Sequence, residues 1–133
     1  MSKSGSSLYS HSEEKVKVVI VGASGVGKTS LSNRFVYDDF QERSQPTLGA
    51  SYLETLHKFE GHNLRYQLWD TAGQEKYRSI AKIYYKDARI ALLVYDVTSK
   101  ISFVSLQTWA QEVRSSAPAD VILAVVGNKI DLP

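Results

Sequence analysis

The sequence predicts an α/β fold, a mostly parallel sheet covered by helices on both faces. Three observations carry that prediction. Short β-branched or strongly apolar runs alternate with segments of helical spacing. A glycine-rich turn joins the first run to the first helix. One pair of runs is separated by hairpin-turn residues, and there alone antiparallel pairing is expected. The order read from the chain is β-α-β-β-α-β-α-β.

Residues 1–14 hold six serines and little that is apolar, and are expected to be a disordered tail ahead of a single domain over 15–133. Residues 16–21, Val-Lys-Val-Val-Ile-Val, form a β-branched run that reads as a buried strand. Residues 28–37 place Leu31, Phe35 and Val36 at helical spacing, and a polar loop with Pro46 follows. Residues 51–59 and 64–70 suit strands, with Glu60-Gly61-His62-Asn63 as the turn between them. A short helix is expected over 78–86 and an apolar strand over 90–97. Ser102 is the expected N-cap of the next helix, whose apolar face is Phe103, Leu106, Trp109, Ala110 and Val113. Ala117-Pro118 stops that helix, and residues 121–126 form the last strand.

Composition narrows the function classes. The 133 residues contain no cysteine, so they carry no disulfide, no thiolate metal site and no thiol for lipid attachment, and a reducing compartment is expected. The net charge of +2 makes no case for nucleic acid, which calls for a concentrated basic patch. The longest apolar run is too short to span a bilayer. His57 and His62 flank the hairpin turn without metal-ligand spacing, and Trp109 reads as core.

The chemistry sits in three motifs. Gly22-Ala23-Ser24-Gly25-Val26-Gly27-Lys28-Thr29 fits G-x-x-x-x-G-K-[ST], between a strand and a helix. Its glycines let successive N–H groups of the loop turn toward phosphate oxygens, and the helix N-terminus adds its dipole. Lys28 would reach the β- and γ-phosphates, and the Thr29 hydroxyl would ligate Mg²⁺. Asp70-Thr71-Ala72-Gly73-Gln74 ends an apolar strand. Asp70 would hold Mg²⁺ through a water, Gly73 would offer its N–H to the γ-phosphate, and Gln74 would orient an attacking water. Asn128-Lys129-Ile130-Asp131 follows the last strand. Asp131 can accept two N–H bonds from the guanine edge, which adenine cannot supply. Lys129 would lie along the base, and Asn128 would tie this loop to the phosphate loop.

These motifs resemble those of small GTPases of the Ras superfamily, and within it the Rab family. Leu68-Trp69-Asp70-Thr71-Ala72-Gly73-Gln74-Glu75-Lys76-Tyr77-Arg78-Ser79 is similar to the Rab pattern W-D-T-A-G-Q-E-[RK]-[YF]. Pro46-Thr47-Leu48-Gly49-Ala50-Ser51-Tyr52, Tyr84-Tyr85-Lys86 and Val94-Tyr95-Asp96-Val97-Thr98 extend the likeness, and the first of these is most similar to Rabs of the endosomal subgroup. The resemblance implies a P-loop NTPase of the Ras-like type: a GTPase, slow without an activating protein, that switches between GTP and GDP states in endosomal membrane traffic. The implied GTP contacts are Ser24, Gly25, Val26, Gly27, Lys28, Thr29, Ser30, Phe40, Thr47, Gly73, Asn128, Lys129 and Asp131. Thr47 would join Thr29 and Asp70 around Mg²⁺, and Lys28, Thr47 and Gln74 would form the catalytic set. The implied partners are an exchange factor, an activating protein, and effectors that meet Tyr52, Trp69 and Tyr84. The implied place is the cytoplasm and the endosomal surface, with membrane attachment requiring a lipidated C-terminus beyond these residues. Tyr52 stands where the family usually has Phe, and Ala23 where it commonly has an acid.

A full domain of this family adds a strand, a second guanine-contacting loop and a long helix after the last motif, so these 133 residues are expected to be a shortened domain. Four Val, Ile or Leu side chains left wet would cost about 6–12 kcal/mol, against a whole-domain stability of about 5–15 kcal/mol. The last strand is then expected to form an exposed edge. Two rival readings follow, a different P-loop enzyme such as an ATP-using kinase, which Asn128-Lys129-Ile130-Asp131 opposes, and a non-cycling GTPase-like interaction module.

Overall fold

The computed structural model describes residues 13–37, 51–70, 81–129 and 131. Phe40, Thr47, Gly73 and Gln74, and residues 1–12 of the expected tail, lie outside them. The elements are β1 (Glu13–Val21), α1 (Lys28–Tyr37), β2 (Ser51–Phe59), β3 (His62–Asp70), α2 (Ala81–Tyr85), β4 (Ile90–Asp96), α3 (Lys100–Val104), α4 (Leu106–Ser116) and β5 (Ile122–Asn128).

The five strands lie in the order β2-β3-β1-β4-β5. β1 pairs parallel with β3 and β4, and β4 pairs parallel with β5. Only β2 and β3 are antiparallel. Their turn is shorter than the sequence suggests. Phe59 pairs with His62, and Glu60 (φ 49°) and Gly61 (φ 81°) make a two-residue turn with both residues left-handed. β1 starts at Glu13 rather than Val16, within the expected tail, because Glu13 pairs in register with Asn63 and its carboxylate takes Arg65 Nε at 2.7 Å and Nη2 at 2.8 Å.

Alternation along β1 builds the core on both sheet faces. Val19 and Val21 join Tyr84, Tyr85, Ala88, Leu93, Leu106 and Val113, beneath α2 and α4. Val16, Val18 and Ile20 join Val26, Leu68 and Val94, with Leu31 and Val36 of α1 packed against them. A β-branched strand buried on both faces is what a central parallel position requires.

One expected helix start is corrected. Ser99, not Ser102, caps a short helix, accepting from Ser102 N–H. Ser102 is buried, and its hydroxyl accepts from Asp96 N–H at 2.9 Å and donates to Ser99 O at 2.8 Å. α4 begins only at Leu106, so Phe103 falls off the expected apolar face and stands half exposed with its ring 5.0 Å from Tyr95. β5 is an edge of the sheet, and its Ile122 and Val125 are exposed.

Candidate functional site

Four parallel strands point their carboxyl ends the same way, so the loop after β1, the end of β3 at Asp70 and the residues after β5 share one end of the sheet. The chain leaves β1 for β2–β3 on one side and returns for β4–β5 on the other. Such a switch point opens a crevice at the strand ends.

The loop after β1 is held open by its glycines. Gly22 has φ 146° and Gly27 φ 99°. A methyl group on Gly22 would overlap the Val94 carbonyl of β4, and one on Gly27 would overlap the Asn128 side-chain amide. Val26 is buried in the core and pins the loop, while Ser24 and Gly25 are exposed at its tip. The loop passes directly into α1, where Leu31 N–H donates to Gly27 O at 2.9 Å.

Lys28 is only 3% exposed, and its ammonium donates to Gly22 O and Ala23 O, each at 2.8 Å. A buried cation at the mouth of an N–H-rich loop is a ready anion site. The next residue, Thr29, donates its hydroxyl to Asp70 Oδ2 at the end of β3, and Asp70 is itself 2% exposed. A hydroxyl and a buried carboxylate side by side offer the hard oxygen donors that suit Mg²⁺. Ser30 is half-buried in the first turn of α1.

The third motif closes onto the first. Asn128 Nδ2 donates to Val26 O at 2.9 Å. Lys129 Nζ donates to Gly25 O at 2.6 Å and pairs with Asp96 Oδ2 at 3.2 Å. Lys129 has φ 66°, a left-handed conformation uncommon outside glycine and typical of functional loops. Asp131, two residues on, is exposed. The structure thus brings together Gly25, Val26, Gly27, Lys28, Thr29, Asp70, Asn128 and Lys129, at the same end of the sheet as Ser24, Ser30 and Asp131.

Sequence reasoning missed the part played by Asp96. Its carboxyl is held below the usual carboxylate range by the Thr98 hydroxyl and N–H, and further by Lys129. The Asp96 Oδ1 bonds to Thr98 run to the hydroxyl at 2.6 Å and to N–H at 2.8 Å. The available signal was an Asp two residues before a Thr at the end of an apolar strand, an Asx-type turn.

The aromatic trio named in the sequence is contiguous. Tyr52 and Trp69 meet edge to face at 5.1 Å, and Trp69 and Tyr84 at 6.2 Å. Exposure divides them, with Tyr52 at 42% and Tyr84 at 7%. The extra hydroxyl of Tyr52 bonds Glu54, and burial together with that carboxylate pushes the phenol up to about 12. His57 is part of no metal cluster among the described residues, and stacks on Phe35 with ring centroids 5.1 Å apart.

Comparison with known proteins agrees with this geometry. The family model described as "Ras family" matches residues 17–133. GTP-binding protein YPT53 of Saccharomyces cerevisiae is 44% identical over 117 residues, which cover 88% of this chain and 53% of the yeast protein. The chain therefore spans about half the length of that curated relative. The matched stretch takes in all three motifs, and on that ground the chain belongs to the Ras family, as a Rab-like small GTPase.

Proposed function

We propose that this chain acts as a GTP-binding, GTP-hydrolysing switch of Rab type, regulating endosomal membrane traffic through effectors that read its nucleotide state. The observation that supports this best is the bond from Asn128 Nδ2 to Val26 O, which joins a guanine-reading motif to a phosphate loop. An ATP-using enzyme has no need of a carboxylate placed as Asp131 is in that motif.

In this reading Lys28 turns its ammonium from the Gly22 and Ala23 carbonyls to the β- and γ-phosphates. Thr29, Thr47 and, through a water, Asp70 would hold Mg²⁺, which when bound offsets charge on the phosphates. Gln74 aligns the water whose oxygen bonds to the γ-phosphorus as the bond to the β–γ bridging oxygen breaks. Phe40 packs against the base, and Asp131 reads it. Thr47 and Gly73 are tethered by the γ-phosphate and released after hydrolysis, which alters the surface offered to effectors at Tyr52, Trp69 and Tyr84. An exchange factor and an activating protein set the two rates, at the endosomal surface.

Fluorescent GTP binding with Mg²⁺, competed by GTP and by ATP, tests the reading. Displacement by GTP alone is expected. Gln74→Leu should leave binding intact and slow hydrolysis roughly tenfold or more. No uptake of GTP at millimolar concentration would instead favour the non-cycling interaction module, and unchanged turnover in Gln74→Leu would remove the role given to that residue.

A further inference from the structure

Lys17 of β1 reaches across with its side chain to another element. Its ammonium donates to Lys86 O at 2.7 Å and Ile83 O at 3.3 Å, at the C-terminal end of α2. The same atom lies 4.4 Å from the centroid of the Trp69 ring. A cation at a helix C-terminus answers the carbonyls that the helix leaves over, and a cation over an indole face is held by the ring quadrupole. One ammonium therefore bonds α2 and the Trp69 ring at once.

α2 is anchored in the core by Tyr84 and Tyr85, and the Tyr85 hydroxyl also donates to Glu112 at 3.1 Å. The helix has five residues and closes at Asp87, a non-glycine residue with φ 63°. Ala88 N–H returns to Tyr85 O at 3.1 Å. Tyr84 of this helix is buried, its ring centroid 6.2 Å from that of Trp69 with the planes at 62°. Whatever fixes the end of α2 against Trp69 also fixes how far Tyr84 is covered.

We propose that Lys17 is a positioning residue that clamps the end of α2 to the Trp69 ring, so that α2 movement and the Tyr52–Trp69–Tyr84 surface change together. The clamp couples α2 to the aromatic surface. Its role in effector choice rests on the switch reading above, whereas the clamp itself does not. The lysine stem lies partly buried, and burial pushes its amine below the ordinary lysine range, partly offset by Asp87.

The test uses the full 133-residue chain and its two tryptophans, Trp69 and Trp109. Their indole N–H resonances are assigned with Trp109→Phe. Lys17→Met keeps the stem and removes the cation and its donors. It should move the Trp69 resonance, leave that of Trp109 in place, and speed amide exchange at Ala88 about tenfold, the loss expected of a charged hydrogen bond. Lys17→Arg should restore both. A Trp69 resonance unmoved in Lys17→Met, equal movement of both tryptophans, or an Arg variant that behaves like the Met variant would each overturn the clamp. Lys17→Gln carries the same resonance test if Lys17→Met does not fold. GDP uptake measured on the wild-type sample judges the switch reading separately, since its failure leaves the Trp69 result standing.

Discussion

Gly27 and Asn128 meet at one contact, so substitutions there should fail to add. The Asn128 amide donates to the carbonyl of Val26, a residue 2% exposed, at 2.9 Å. Asn128→Ala withdraws that donor, a loss of about 1–3 kcal/mol. Gly27→Ala has two costs. The backbone at φ 99° is strained for any other residue by about 1–3 kcal/mol, and the new methyl occupies the space of the same amide. The methyl therefore breaks the bond that Asn128→Ala removes. Adding the two single effects counts that bond twice, and the double variant should be about 1–3 kcal/mol more stable than the sum. With a urea slope of about 2 kcal/mol/M, the shortfall is about 0.5–1.5 M in midpoint. Urea unfolding of the four chains measures it. Additivity within about 0.5 kcal/mol would show that the amide and the glycine do not share a contact, and the tie between the two loops would lose its energetic basis.

Two more outcomes follow from the structure. Lys28→Met exchanges a buried ammonium for an apolar chain of similar length, so the fold should survive while GTP affinity falls by about three orders of magnitude or more, from the loss of two or more charged hydrogen bonds to phosphate; retained binding by calorimetry would refute its role. Acid should weaken the β2–β3–β1 face. Glu13 is held below its usual 4.5 by bonding to Arg65, and Glu54 by the Tyr52 hydroxyl and then Arg65. Because the folded values are depressed, their stabilisation is present above the unfolded value and is lost as pH falls through the folded one. Arg65→Met should flatten the fall in urea midpoint between about pH 6 and about pH 3, and an unchanged slope would count against the network.

The individual elements were legible because each depends on local pattern. Val16 to Val21 is β-branched except at Lys17, and a strand buried on two faces suits it. The motifs stood out in the sequence as particular residue types at particular spacings, and the structure gathers Lys28, Thr29, Asp70, Asn128 and Lys129 at one end of the sheet. The start of the last helix was misread at Ser102, since periodicity does not register a hydroxyl that bonds Asp96 and Ser99 instead of capping. Asp96 and Lys17 were overlooked for a related reason. Their partners, Lys129 and the end of α2, lie 33 and about 69 residues away.

By itself the sequence determined the alternation of strand and helix, the three motifs and the family they belong to, because propensity, turn chemistry and ligand chemistry act over a few residues. Tertiary structure decided which of those residues meet. Parallel pairing of β1 with β3 and β4 puts Asp70 beside Thr29 and lays Asn128 and Lys129 over the phosphate loop. It also buried Tyr84 while leaving Tyr52 exposed, and set one ammonium of β1 between a helix end and an indole. Those outcomes depend on sheet order, and sheet order follows from burying both faces of β1 at once, a requirement of the whole chain and of no short stretch of it.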